Sequence, residues 1–465
     1  MFNICFSMTG KELLDYVNSQ DSEGEFLSLY GKDEIDAARR RYSFLIGEFS
    51  REEIFPLKEF PEARGELRIF SVPGRTELGG NHTDHNRGKV LAASIQLDAV
   101  AVVAPRKDKQ VVFKSVGHKD VKIDISDLSI MEKEKGRTEA LVRGIAAEFS
   151  SRGTPVGGFT ACADNMVLTG SGLSSSAAIE VLFAKIFDNL YCGGKRKPLE
   201  LAQIGQKAEN IFFGKPCGLM DQTACASGGA VAIDFEHLES PKVRGIGFDP
   251  ASAGFALCVV DTKGSHSDLT PDYAAIPAEM RAAAAVFGKQ VLRELDEQIF
   301  MERLKDVRAA AGDRAVLRAL HFFSENRRVD AMLAALENLS AIPPDKKGKA
   351  METFLSLVTE SGDSSWELLQ NVYSPKNPSE QGLTLALALT RNFLFSDGGK
   401  SESTEPGPCR GACRVHGGGF AGTIQVYLPL EKLNSYRGLM EGIFGKGALT
   451  VLRIRPLGAI ELECK

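Results

Sequence analysis

Residues 168–178 read Leu-Thr-Gly-Ser-Gly-Leu-Ser-Ser-Ser-Ala-Ala and run directly into Ile179, Leu182, Phe183, Ile186 and Leu190 at helical spacing. Glu180, Lys185 and Asp188 fall off that apolar face. A flexible, donor-rich loop that ends at a helix N-terminus leaves backbone N–H groups pointing outward, with the positive end of the helix dipole behind them. Such a turn suits an anion, and a nucleotide's phosphates are the leading candidate. A Ser-rich helix cap with no ligand is the plainer alternative. The choice between them rests on what else the chain carries.

Length and charge narrow the field. At 465 residues the chain exceeds one compact core, so two domains are expected, 1–240 and 241–465, with a helical extension over 1–65. The net charge of −5 and the absence of a basic run argue against a nucleic-acid footprint. An acidic chain with an anion-binding loop must gather local positive charge or recruit a cation, which favours a small phosphorylated ligand with Mg²⁺. No run of apolar residues is long enough to predict a membrane span, and the first ten residues lack the basic region of a secretion signal. The nine cysteines are mostly isolated and read as reduced thiols of a cytoplasmic protein.

The periodicity predicts strands at 67–72, 90–103, 111–116, 158–163 and 166–168, helices at 176–190 and 199–212, and a strand at 230–235. Past 239 the pattern restarts. A strand at 255–261 precedes helices at 278–295, 314–323, 329–339 and 383–395. An exposed loop follows at 396–408, then closing strands at 422–428 and 452–457.

Three further blocks carry chemistry. Glu209 and Asp221 are separated by a Gly-Lys-Pro-Cys-Gly turn. Two acids on either side of a tight reversal can converge, one for Mg²⁺ and one facing an attacking hydroxyl. Residues 73–88 combine glycines with Arg75, Asn81, His82, Asp84 and His85, a density of hydrogen-bonding groups that suits a sugar. His416 to Gly422 is glycine-rich enough to imply close backbone approach to a ligand or another loop. No Walker-type loop competes, because Leu394 stands where Gly399-Lys400-Ser401 would need its first glycine.

Taken together, the four blocks resemble the galactokinase family and the wider GHMP kinase superfamily, in family order from residue 67 to residue 428. The resemblance implies an α+β fold in two domains, a mixed-sheet N-terminal domain and a ferredoxin-like C-terminal domain, with the active site between them. It implies ATP-dependent phosphorylation of galactose at its anomeric hydroxyl. Asp221 would be the base, with Arg75 beside it. Gly170, Ser171, Gly172, Ser174, Ser175 and Ser176 would wrap the phosphates of ATP, and Ser176 and Glu209 would hold Mg²⁺. Asn81, His82, Asp84 and Tyr273 would contact the sugar. Sugar and ATP are the expected partners of a monomer, with no nucleic acid and no membrane. Two other readings are a sugar 1-kinase for a galactosamine derivative or a pentose, and a non-catalytic galactose/ATP sensor. The chain departs from the family pattern at Glu77 (usually Asn), Asn81 (usually Glu), His85 (usually Tyr), Gly79, His416 and Ala421. The first two look exchanged, which suggests that the side chains trade roles near the sugar.

Overall fold

The computed structural model describes residues 8–56, 58–60, 66–168, 170–264, 269–395 and 411–463. Strand β1 (Arg68–Gly79) runs antiparallel to β2 (Lys89–Pro105), with Arg68 opposite Val103 and Gly79 opposite Leu91. The ladder shifts register after Pro73, which has no N–H to donate, and again after Glu77. β2 is almost wholly buried, as its near-continuous apolar sequence requires. Its far edge pairs with β6 (Ala230–Asp234) along the first part and with β5 (Phe159–Asn165) along the second.

β3 (Gln110–Ser115) adds to β5 in parallel and β4 (Val121–Asp124) adds to β3, so this eight-stranded sheet is mixed. It is completed by β7 (Lys242–Ile246) beside β6 and by β12 (Ile460–Glu461) beside β1. The division drawn at 240/241 therefore does not follow sheet membership, because β7 and β12 hydrogen-bond within the larger sheet.

The second sheet holds β8 (Phe255–Asp261), β9 (Ala412–His416), β10 (Thr423–Pro429) and β11 (Leu449–Leu452) in the order β11-β8-β10-β9, all antiparallel. Helices separate β8 from β9, and the helix Leu433–Phe444 separates β10 from β11. This fourth-first-third-second order is the expected ferredoxin-like arrangement.

The larger sheet is covered on both faces. Helices Thr138–Ser151, Ser175–Tyr191, Pro198–Lys207 and Met220–Ser227 form the main core on one face. On the other, helices Gly10–Asn18, Glu23–Tyr30 and Ile35–Ser50 pack Phe26, Tyr42, Leu45 and Phe49 against Ile69, Val100 and Val102. The helical extension thus supplies the second apolar cover that a sheet buried on both faces needs. It is tied down by a buried ion cluster. Asp98 pairs with Arg41 at 2.6 Å and with Arg455 at 2.9 Å, and accepts the Tyr30 hydroxyl at 2.6 Å.

Several expectations are corrected. Residues 166–168 are not a strand, because Val167 and Leu168 turn the chain out of β5 toward the Gly-Ser loop. The two helices expected at 314–323 and 329–339 are one, Asp313–Ala341. The helix expected at 278–295 starts earlier and stops sooner, at Thr270–Ala285. β11 ends at Leu452, and Ile454 makes only an isolated bridge to Ile95. Helices Thr138–Ser151 and Pro344–Ser364 were not foreseen. Glu180 and Asp188, expected off the buried face, are fully enclosed. The loop expected at 396–408 lies outside the described residues. No described helix is long and apolar enough to cross a membrane.

Candidate active site

The phosphate-type loop reaches β1 through a glycine. A Cβ on Gly74 would stand 2.8 Å from the Leu173 carbonyl and 2.7 Å from Val167, so only glycine lets the loop lie on the strand. The Arg75 amide donates to the Leu173 carbonyl at 3.1 Å, fixing that approach. Ser174 precedes the helix Ser175–Tyr191 in the left-handed conformation, φ 62°, and makes no cap to the helix. Its hydroxyl donates instead to Asp221. The first-turn amides of a 17-residue helix are thereby left without a side-chain cap, the condition for binding an anion there.

The six loop residues are not equivalent. Gly170 and Gly172 both have φ near +70°, at 76° and 69°. Ser171 is buried, donates to the Leu168 carbonyl at 2.6 Å, and offers its own carbonyl to Thr423 at 2.7 Å. Its side chain therefore faces the protein. Ser175 accepts from Asn165 at 2.7 Å, and Ser176 is exposed and lines the cavity.

That cavity measures about 630 Å³ and is walled by Arg75, Glu77, His82, Asp84, Ser176, Glu209 and Asp221 among others. Arg75 grips Asp221 as a fork, Nε to Oδ1 and Nη2 to Oδ2, both at 2.7 Å. Burial pushes the Asp221 carboxyl up, but Arg75 and Ser174 more than offset this and hold it below the usual carboxylate range. Arg75 also donates to the Gly172 carbonyl, so one side chain spans the loop and the acid.

Glu209 sits where the helix Pro198–Lys207 widens into a π turn, Ala208–Phe213. It meets Lys215 at 3.2 Å and the Gln222 amide at 3.1 Å. The same amide donates to Glu180 at 2.9 Å, whose other oxygen is buried and has no partner. Burial, then Glu209, raises the Glu180 carboxyl well above its ordinary value. Two enclosed carboxyl groups share one amide, with Lys215 on Glu209, and oxygen donors packed in this way are the kind a hard divalent cation takes. Among the described residues no cluster of three or more His, Cys, Asp or Glu forms a metal site, so Ser176 and Glu209 would need substrate phosphates or water to complete one.

Asn81, His82, Asp84 and Tyr273 line the same cavity. A Cβ on Gly218 would stand 1.9 Å from Asp84 Oδ2, so the turn before Asp221 packs directly on Asp84. His82 is strained at φ 59°, and its Nε2 hydrogen-bonds the Gly418 carbonyl at 2.9 Å. Burial holds its pKa down at about 4, which leaves it neutral at pH 7. Tyr273 lies in the first turn of the helix Thr270–Ala285 and donates to the Gly419 carbonyl at 3.0 Å. Asn81 lines the cavity too, with its side chain bonded to Glu77, Gly417 and Asn371.

The glycine-rich turn after β9 closes the site. Gly418 lies against Tyr273, where a Cβ would approach to 2.5 Å. His416 is buried between Thr76 at 3.0 Å and Thr423 at 3.1 Å. Burial, with Arg75 and Arg414, holds it neutral with a pKa of about 3.

Sequence reasoning missed a ring of buried groups behind this wall. Arg414 pairs with Glu77; Glu325 accepts the Gly80 amide at 3.0 Å; His321 meets the Asn81 carbonyl at 2.9 Å. These partners lie more than 200 residues apart in the chain, and no local spacing marks them.

A mixed sheet, a ferredoxin-like sheet and a serine-lined helix start beside an Arg–Asp pair define a GHMP-type kinase, and residues 140–229 match the GHMP kinases N terminal domain. Residues 58–105 match the galactokinase galactose-binding signature. The chain is 34% identical over 281 residues to a galactokinase of Streptomyces coelicolor, covering 58% of this chain and 69% of the relative. It is 31% identical over 279 residues to a galactokinase of Clostridium tetani, with the same coverage. The chain belongs to the galactokinase family. Its fold is similar to that of Lactococcus lactis galactokinase complexed with galactose, at a TM-score of 0.68 and 23% identity over 85% of this chain and 95% of that one. It is also similar to Methanococcus jannaschii mevalonate kinase, at a TM-score of 0.55 and 15% identity over 83% and 98%.

Proposed function

We propose that this chain transfers the γ-phosphoryl group of ATP to the anomeric hydroxyl of galactose, giving galactose 1-phosphate and ADP. The observation that carries the reading is the Arg75–Asp221 fork lying against the serine-lined turn in one cavity with Glu209. A phosphoryl-transfer site needs those parts together: an acceptor for the hydroxyl proton, a fixed positive charge beside it, and a phosphate cradle.

Asp221 is ionised at neutral pH and positioned to accept a hydrogen bond from the attacking hydroxyl. A carboxyl this acidic is a weak base in the ground state. It orients the hydroxyl and takes its proton late, as the oxygen bonds to phosphorus and becomes acidic. Arg75 holds the carboxylate charged and faces the phosphoryl group in transit. The amides at 170–176 cradle the phosphates. Ser176 and Glu209 would hold Mg²⁺, which, bound there, supplies charge neutralisation for the phosphates. His82, Asp84 and Tyr273 line the sugar side. His82 is neutral, so it offers hydrogen bonds without a charge.

The direct test is ADP release with a panel of sugars. Turnover with galactose above glucose, galactosamine and arabinose is expected. Galactose binding with no ADP release for any sugar would overturn the reading in favour of a sensor.

A further inference from the structure

We propose that Glu77, and not Asn81, is the sugar-facing acceptor that sets hexose specificity, with Asn81 serving to hold Glu77 in place. This deepens the galactose-kinase reading and rests on it.

Both residues line the cavity, but their hydrogen-bonding capacity differs. An amide side chain has two N–H donors and two acceptor sites. Asn81 uses its donors on Glu77 Oε1 at 3.1 Å and the Gly417 carbonyl at 2.8 Å. Its oxygen accepts from Asn371 at 3.0 Å and Ser365 at 3.4 Å. Both Asn81 donors are spent, and its oxygen already has the Asn371 donor with Ser365 as a longer contact, so little of its capacity is left for a substrate.

Glu77 is not full. Its Oε1 takes Arg414 and Asn81, while Oε2 has only a long 3.4 Å contact to the same Asn81 nitrogen. A buried carboxylate oxygen with spare lone pairs at a cavity wall calls for a donor. Arg414, itself 1% exposed, already balances the charge. The site therefore asks for a neutral hydroxyl and not for an ammonium group. Glu77 also lies two residues from Arg75 on β1, on the same face of the strand, roughly 7 Å along from the phosphoryl-transfer pair. A hexose whose anomeric hydroxyl meets Asp221 would extend along this wall.

The test is a cycle between the protein and the sugar. kcat/KM is measured for wild type and Glu77→Gln with galactose and with its 2-, 3-, 4- and 6-deoxy forms. Loss of a charge-assisted bond predicts a fall of about 10- to 100-fold with galactose. The same substitution should cost less than about threefold with the one deoxy sugar that lacks the bonded hydroxyl. Glu77→Asp keeps the charge that Arg414 needs while withdrawing the carboxylate, and reads the same coupling if Glu77→Gln does not fold. An equal loss across all five sugars would overturn the assignment. Wild-type turnover of galactose, measured in the same plates, reports separately on the kinase reading.

Discussion

Replacing Asp221 by Asn keeps the shape of the side chain and removes its charge, so it separates the roles of that group. Arg75 now grips two carboxylate oxygens at 2.7 Å each. An amide can accept from one arm of the guanidinium only, and its NH₂ opposes the other. Breaking a buried ion pair on one side costs about 3–5 kcal/mol. Asp221's side chain is 33% exposed, which places the cost at or below the lower end, about 2–3 kcal/mol. The Asp221 carboxyl is depressed in the folded state, so this stabilisation is present above the ordinary carboxylate pKa near 4 and fades as pH falls through the folded value. Denaturant midpoints of wild type and Asp221→Asn should therefore differ at pH 7 and converge below about pH 4. Loss of the proton acceptor should lower kcat by about 10²–10⁴-fold. Galactose affinity, measured by calorimetry without ATP, should change little. A folded variant with kcat within tenfold of wild type would refute the role given to Asp221.

Gly218→Ala should raise the KM for galactose about tenfold or more and leave that for ATP nearly unchanged, because the new methyl displaces Asp84 at the sugar wall. His416 is held neutral, first by burial, with a folded pKa of about 3 against an ordinary 6.5. Below pH 6.5 the unfolded chain binds a proton that the folded chain refuses, so stability falls with acid by about 1.4 kcal/mol per pH unit. His416→Asn should flatten the slope between pH 6.5 and 5 by that amount in urea unfolding, and parallel slopes would count against it. Asp98→Ala should cost about 3–5 kcal/mol, since it strands the fully buried Arg455 and removes one of the two carboxylates that hold Arg41, while the KM values stay the same.

How far the fold could be read from the chain depends on where its polar residues point. β2 and β8 were legible because both are nearly continuous apolar runs bounded by polar turns. The helix Asp313–Ala341 was split in two because Ser324, Glu325, Asn326 and Arg328 interrupt its apolar pattern. Two of those polar groups bind the sugar-side loop: Glu325 takes the Gly80 amide and Asn326 takes the Lys89 amide at 2.7 Å. Polar residues that serve a buried site look like a surface loop in sequence. The same holds for Glu180 and Asp188, which the helical wheel placed outside and the fold encloses. The blocks that meet at the cavity were legible because each concentrates glycine or tight turns with hydrogen-bonding side chains. What stayed hidden was pairing: Glu77 and Arg414 meet across 337 residues, and only the completed second sheet brings β9 to β1.

The position of the new phosphate ester reports directly on the reaction in this cleft. Galactose and ATP should give one ADP per sugar turned over, with the phosphorus coupled to C1 and its proton in the NMR spectrum of the product. Phosphate on the C6 oxygen, or ADP released at the same rate without sugar, would contradict it.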